Sequence, residues 1–379
     1  MKKLALYIHV PFCVQKCLYC DFLSMPASQT IQEAYITALI GELRYWQKQL
    51  EGQYALGSIF IGGGTPTVLA PELIWQMGEV LHGFSKDSNM EFTIEANPGT
   101  LTAEHIPALQ YLGVNRISLG LQSAQEQELQ KLGRIHSFSD FVESYRLLQE
   151  QGFTNINIDL MADIPGQTME SYADTLDQVL QLRPKHISAY SLLIEEGTPF
   201  YEMDQQGKLQ IPSEETDRQM YALTKERLAA EGYQRYEISN YAQSGWACRH
   251  NLTYWQMREY LGVGLGAASY WHGKRFCNER DLHAYLSQKE DRHIVERQIL
   301  SKQEEMEEYV FLGLRMTQGI SPEAYRKRFG VDFYQLYQKI LPDLQKNGLL
   351  AETKNHDRIY LTDRGIDVSN TVLAEFLLA

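Results

Sequence analysis

The sequence predicts an α/β fold: a partial (β/α)6 barrel of the TIM type, with a smaller, mainly helical domain behind it. Three observations point there. Short apolar strands alternate with amphipathic helices along the first two thirds of the chain. The unusual polar residues fall at the C-terminal ends of those strands, where βα barrels carry their chemistry. At 379 residues, the chain is long enough for a large barrel and one more domain.

The strands expected in chain order are Leu4–Val10, Ser58–Gly62, Glu91–Ala96, Arg116–Leu121, Asn155–Leu160 and His186–Leu192. Each is short and rich in β-branched or apolar residues. Between them, helices are expected over Ile31–Leu50, Pro71–Phe84, Ala103–Leu112, Glu126–Leu132 with Ser139–Gly152, Met169–Leu182 and Glu214–Glu231. Repeated βα units build a parallel sheet with its helices outside, and six suit a barrel or a partly open one. A doubly wound sheet is the structural alternative. The expected division is 1–240 for the barrel, 241–300 for a connecting segment and 301–379 for the second domain. The boundary falls in the charged and polar stretch Ser287–Ser301. Beyond it come helices, then Asn347-Gly348-Leu349, then a hairpin ending at RIYLTDRG, which is a winged-helix-like order. Such modules often bind DNA, but this one carries ten Lys and Arg against twelve Asp and Glu. It reads as a lid or a docking domain.

Composition sets outer limits. A net charge of −13 and a pI near 5.3 argue against a nucleic-acid partner held by a basic face. No apolar run approaches the ~20 residues of a membrane helix. The start, MKKLALYIHV, is basic then apolar, but it runs into Pro11 and a cysteine group without a small-residue cleavage site. It reads as the first strand, and the cytoplasm is the expected compartment.

That cysteine group is the sharpest feature. Cys13, Cys17 and Cys20 form C-x3-C-x2-C on the loop after the first strand, three of the chain's five cysteines within eight residues. Three close thiolates can take three corners of a [4Fe–4S] cube and leave one iron open for a ligand. Zinc favours four protein ligands and C-x2-C pairs, and three thiols cannot all pair as disulfides. The other strand ends supply candidates. GGGTPT, with Gly63, Gly64 and Thr65, follows the second strand; its glycines allow close backbone approach, though alone it could be a tight turn. Glu95 ends the third strand and reads as a partner for an ammonium or a ribose, or as a helix cap. Gln122, Arg134 and Asp159 complete the rim; Arg134 could equally sit on the surface and Asp159 could be structural.

With an aromatic before the third cysteine, this loop resembles that of the radical S-adenosyl-L-methionine (SAM) superfamily, and GGGTPT resembles its stretch for the methionine amino group. YIHVPFC, GGGTPT, TIEANP, RISLGLQS, NIDLMADIPGQT, YEISNYA and HNLTYW together resemble the oxygen-independent coproporphyrinogen III oxidase group, from about residue 4 to the C-terminus. The resemblance implies a radical SAM barrel with a [4Fe–4S] cluster on Cys13, Cys17 and Cys20. It implies SAM at Tyr7, Gly63, Gly64, Thr65, Glu95, Gln122, Arg134 and Asp159, with Tyr19 where an aromatic lies beside a second SAM in the oxidase. Reduction of the cluster would cleave SAM to a 5′-deoxyadenosyl radical.

The group contains decarboxylating oxidases and haem-binding chaperones. The oxidase continues its motif to a fourth cysteine and carries a long segment before the first. This chain has Asp21-Phe22 after Cys20, and Cys13 stands near its start. HNLTYW, His250–Trp255, matches the chaperone signature. The resemblance therefore implies haem as a further ligand, haem-accepting proteins as partners, an electron donor for the cluster, and peripheral contact with membrane haem proteins. Coproporphyrinogen III decarboxylation is the alternative, and SAM cleavage is open. His250 is expected at haem iron, with Cys248 as the competing ligand, since imidazole and thiolate both ligate haem. The plainer reading of HNLTYW is packing at the end of the barrel.

Overall fold

The computed structural model describes residues 1–288 and 294–378. At its centre lie six parallel strands: β1 (Lys2–Val10), β2 (Tyr54–Gly63), β3 (Lys86–Ala96), β4 (Arg116–Gln122), β5 (Ile156–Ala162) and β6 (His186–Ser191). They stand side by side in chain order. A doubly wound sheet reverses its order at a switch point. This one does not, and successive right-handed crossovers then put the helices on one side, the condition for a barrel. The barrel is partial, because among the described residues the ends of the sheet do not pair with each other.

The crossover helices begin where the side-chain chemistry permits. Ser28 caps Gln29–Leu50, Ser137 and Thr168 form capping boxes for Phe138–Glu150 and Met169–Leu182, and Ser213 caps Glu214–Ala230. Pro71 occupies the first turn of Pro71–Leu81, and Gly113 ends His105–Leu112 in the left-handed conformation.

Both ends of the sheet are extended. β7 (Gln234–Arg235) and β8 (Asn240–Ala242) continue it antiparallel beyond β6. On the other side β9 (Tyr260–Val263) runs parallel to β1, followed by antiparallel β10 (Ala268–Trp271), β11 (Lys274–Asn278) and β12 (Ile294–Ile299). Residues 241–300 thus contribute strands to the main sheet as well as leading into the second domain. Of the expected boundary stretch Ser287–Ser301, residues 289–293 lie outside the described residues. A second apolar core, with Val310, Tyr325, Phe333, Ile359 and Phe376 buried, gathers the helices from Lys302–Arg315 onward. Its hairpin is β13 (Leu350–Glu352) and β14 (Ile359–Leu361).

Side chains alternate across a strand, and here the alternation separates two chemistries. Ile59 and Ile61, Phe92 and Ile94, Ile117 and Leu119, and Ile156 and Ile158 belong to the main apolar core. The residues alternating with them are mostly polar: Ser58, Glu91, Thr93, Glu95, Arg116, Ser118, Asn157 and Asp159, with Phe60 between Ile59 and Ile61. The barrel interior is therefore polar and charged, and this lining positions the site.

Candidate functional site

The loop after β1 is closed at its neck by two backbone bonds: Met25 N donates to Pro11 O at 2.8 Å, and Cys13 N donates to Met25 O at 3.1 Å. Its far side is pinned where Leu18 N donates to Leu132 O and Phe200 N donates to Leu18 O. Leu18 and Tyr19 pack on Leu132, Met161, Ile164, Leu192 and Phe200. The loop has no regular secondary structure, yet both flanks are fixed.

Cys13, Cys17 and Cys20 are unpaired and partly buried. They line one cavity of about 310 Å³ at the C-terminal ends of the strands. The same cavity is lined by Tyr19, Gly63, Gly64, Thr65, Glu95, Gln122, Arg134 and Asp159. The rim expected from strand-end positions is thus one surface. Among the described residues, no three His, Cys, Asp or Glu gather as ligands of a single ion would. All three thiols line the one cavity, and a cube would take one thiolate on each of three irons.

The glycine stretch lies close against its surroundings. A Cβ on Gly62 would meet Glu95 Oε2 at 2.6 Å, and one on Gly64 would meet Phe12 O at 2.5 Å. Gly63, at φ +109°, would drive a Cβ into the His9 ring. Gly63 N donates to Glu95 Oε2 at 3.0 Å, so this amide is already engaged by the carboxylate. Burial, then the nearby Asp159 carboxylate, pushes Glu95 up to about 8. Asp159 is raised by burial too; it accepts from Ser118 Oγ at 3.1 Å and Asn157 Nδ2 at 2.8 Å. Gln122 takes a left-handed backbone, φ 71°, at a bulge between β4 and β5. Arg134 donates to Asn97 Oδ1 and Gly120 O, while its Nε is buried without a partner.

These features fit the two groups the fold implies. Three thiols share one cavity for a cluster. Beside them, an orphaned guanidinium N–H suits a carboxylate, and the acids Glu95 and Asp159 suit an ammonium or ribose hydroxyls. An unpaired buried donor or a crowded pair of carboxylates is costly unless a ligand completes it.

Two expected residues do not line the cavity. Tyr7 bonds His9 Nδ1 through its hydroxyl at 3.0 Å, and its ring packs near Phe60 and His250. His250 lies in the barrel floor, 1 % exposed. Its Nδ1 meets Ser58 Oγ at 2.9 Å and its Nε2 meets Tyr254 OH at 2.8 Å, so both ring nitrogens are occupied. Burial, then Arg116, lowers its pKa to about 3. The helix Arg249–Trp255 carrying it is held by Glu91, which accepts from Arg249 N, His250 N and the Cys248 thiol. In this fold HNLTYW packs the end of the barrel, with both His250 ring nitrogens and the Cys248 thiol engaged by protein partners. The spacing within HNLTYW could not show this, because Ser58 and Glu91 lie some 160–190 residues away in sequence. Asn97 and Ser118 also line the cavity, although neither stands out in the sequence. Asn97 lies in TIEANP, two residues past Glu95, and that offset from a strand end was its signal.

Among the described residues, no helix is long and apolar enough to cross a membrane.

Comparison with known proteins agrees with this geometry. Residues 7–179 match the radical SAM superfamily, and residues 300–368 match the HemN C-terminal domain. The chain is 37% identical to the heme chaperone HemW of Lactococcus lactis, over 98% of this chain and 97% of that one. It is 36% identical to the heme chaperone HemW of Bacillus subtilis, over 98% of both. The solved coproporphyrinogen III oxidase HemN of Escherichia coli, a radical SAM enzyme, shares the fold with a TM-score of 0.85 at 23% identity, over 99% of this chain and 90% of that one. On a likeness that runs through almost the whole of both chains, the protein belongs to the HemW family of radical SAM proteins.

Proposed function

We propose that the chain is a haem chaperone: it binds haem, a [4Fe–4S] cluster and SAM, and passes haem to acceptor proteins. The observation that carries this reading is the end-to-end likeness to chains named as haem chaperones. Asp21-Phe22, standing where the oxidase has its fourth cysteine, supports it. Cys13, Cys17 and Cys20 would hold the cluster. Gly63, Gly64, Thr65, Glu95, Gln122, Arg134 and Asp159 would hold SAM, with Tyr7 acting from below through His9. The cluster, held by these thiolates and reduced, would supply an electron for cleavage of SAM. The chain's own residues orient SAM and keep its charged end from water. Tyr19 walls the cavity and packs on Phe200, with ring centroids 6.4 Å apart.

The mouth of the cavity offers haem a seat in this fold. Phe22 and Tyr190 line the cavity and stand exposed. Val14 and Ile135, also exposed, line a cleft that shares Gln15, Cys17, Thr65, Asn97 and Arg134 with the cavity. Apolar side chains framing a mouth suit a porphyrin face. Cytoplasmic residence, an electron donor for the cluster and peripheral contact with membrane haem proteins complete the reading, as does a domain division near residue 300.

Anaerobic reconstitution followed by two assays tests it. The expected result is a stable Soret band on haem titration, weakened in a Phe22→Asp, Ile135→Asp double variant, and no turnover of coproporphyrinogen III. Turnover of that substrate would select the oxidase instead.

A further inference from the structure

Thr65 precedes the short helical turn Pro66–Val68, in the position where a threonine hydroxyl usually caps, yet it makes no cap bond. Its Oγ1 donates to Cys13 Sγ at 3.6 Å. That hydroxyl accepts from Asn97 Nδ2 at 2.7 Å, and Asn97 Oδ1 accepts from Arg134 Nη1 at 3.1 Å. Every donor in this chain of three bonds points the same way, from the guanidinium to the thiol.

The chain is held at each step. Thr65 N donates to Phe12 O at 2.7 Å, next to Cys13. The Asn97 carbonyl accepts from Thr100 N and Thr100 Oγ1, and Thr100 Oγ1 also meets Thr67 Oγ1 at 2.7 Å. Gly120 leaves the space: a Cβ there would meet Asn97 Oδ1 at 2.7 Å and Arg134 Nη2 at 2.9 Å. Such a relay is more than packing, because hydrogen bonds to cluster sulfurs set reduction potential, and aligned bonds polarise one another.

We propose that Asn97 is a positioning residue that, by orienting the Thr65 hydroxyl onto Cys13 Sγ and joining it to the Arg134 guanidinium, raises the reduction potential of the cluster. Reduction adds negative charge to the cluster and its thiolates. A donor aimed at Cys13 Sγ stabilises that more negative state, and the cation behind Asn97 strengthens the donor. The inference rests on the reading that Cys13 holds an iron of the cluster.

The test uses the full chain, reconstituted anaerobically without SAM. Iron and sulfide content is measured first, then the midpoint potential by redox titration followed by electron paramagnetic resonance. Asn97→Ala is expected to keep its iron and titrate at a more negative potential than wild type. Thr65→Val should shift in the same direction, and Thr65→Ser should restore the wild-type value. A wild-type potential in Asn97→Ala, or in Thr65→Val, overturns the relay. So does loss of the cluster in Asn97→Ala when Thr65→Val retains it, since Asn97 would then serve assembly. A wild-type chain that assembles no cluster at all defeats the parent reading, and this inference with it.

Discussion

His250 is a strut at the residue scale. Its two ring nitrogens join the middle of β2, through Ser58, to its own helix, through Tyr254. Removing the ring leaves the buried Ser58 hydroxyl and the half-buried Tyr254 hydroxyl without this partner and a cavity behind, so His250→Ala should cost about 2–4 kcal/mol of unfolding free energy. The acid side of the stability profile should change with it. The folded pKa is about 3, below the 6.5 of an ordinary imidazole. Between those values the unfolded chain takes up a proton that the folded chain refuses. Stability from this group is therefore complete above about 6.5 and falls as pH drops toward 3. Burial lowers His9, His136 and His186 in the same direction, so they add to the loss of stability on the acid side. Urea unfolding at a series of pH values should show a shallower acid limb for His250→Ala. An unchanged slope would show that the imidazole titrates normally. Residue type and spacing made the three thiols legible in advance. They could not do so for His250, whose partners are set by a fold that brings distant positions together.

At the scale of elements, the glycine stretch and the cysteine loop behave as one unit. Gly64 N donates to Val10 O and Thr65 N to Phe12 O, so the end of β2 is bonded to the stretch entering the cysteine loop. At Gly64 the obstacle is backbone: an added Cβ would meet Phe12 O at 2.5 Å. Backbone on both sides leaves little room to yield, and overpacking of this kind typically costs about 1–3 kcal/mol. Gly64→Ala should consequently bind less iron per chain after reconstitution, with far-ultraviolet circular dichroism unchanged. Full iron content would show that the two segments move independently. The strands themselves were legible as short apolar runs between turn signals, with ends displaced by a few residues, as at Tyr54 and Lys86. Their inner face was not. Ser118, Asn157 and His186 lie inside strands that read as buried, and an interior of polar partners appears only when neighbouring strands are in register. His186 Nδ1 meets Asn157 Oδ1 at 2.6 Å on the adjoining strand.

At the scale of the whole molecule, the partial barrel carries its open cavity at one end while the HNLTYW helix packs its floor. The second domain grips that floor. Arg315 lies 4.6 Å from the centre of the Trp255 ring, Arg328 Nη1 donates to Met257 O, and Thr317 N donates to Tyr236 O. Chain order predicted the barrel. The extension of its sheet through β9 to β12 was hidden, because those strands are short and belong to a segment that reads as a connection. The proposed function turns on three thiolates holding three irons and leaving the fourth for SAM. Mössbauer spectroscopy of the reconstituted, iron-57-labelled protein tests it directly. On adding SAM, one iron site in four should change its parameters while three stay fixed, and replacing Cys13, Cys17 and Cys20 together by Ala should remove the spectrum. Four sites indifferent to SAM, or a full cluster in the triple variant, would contradict it.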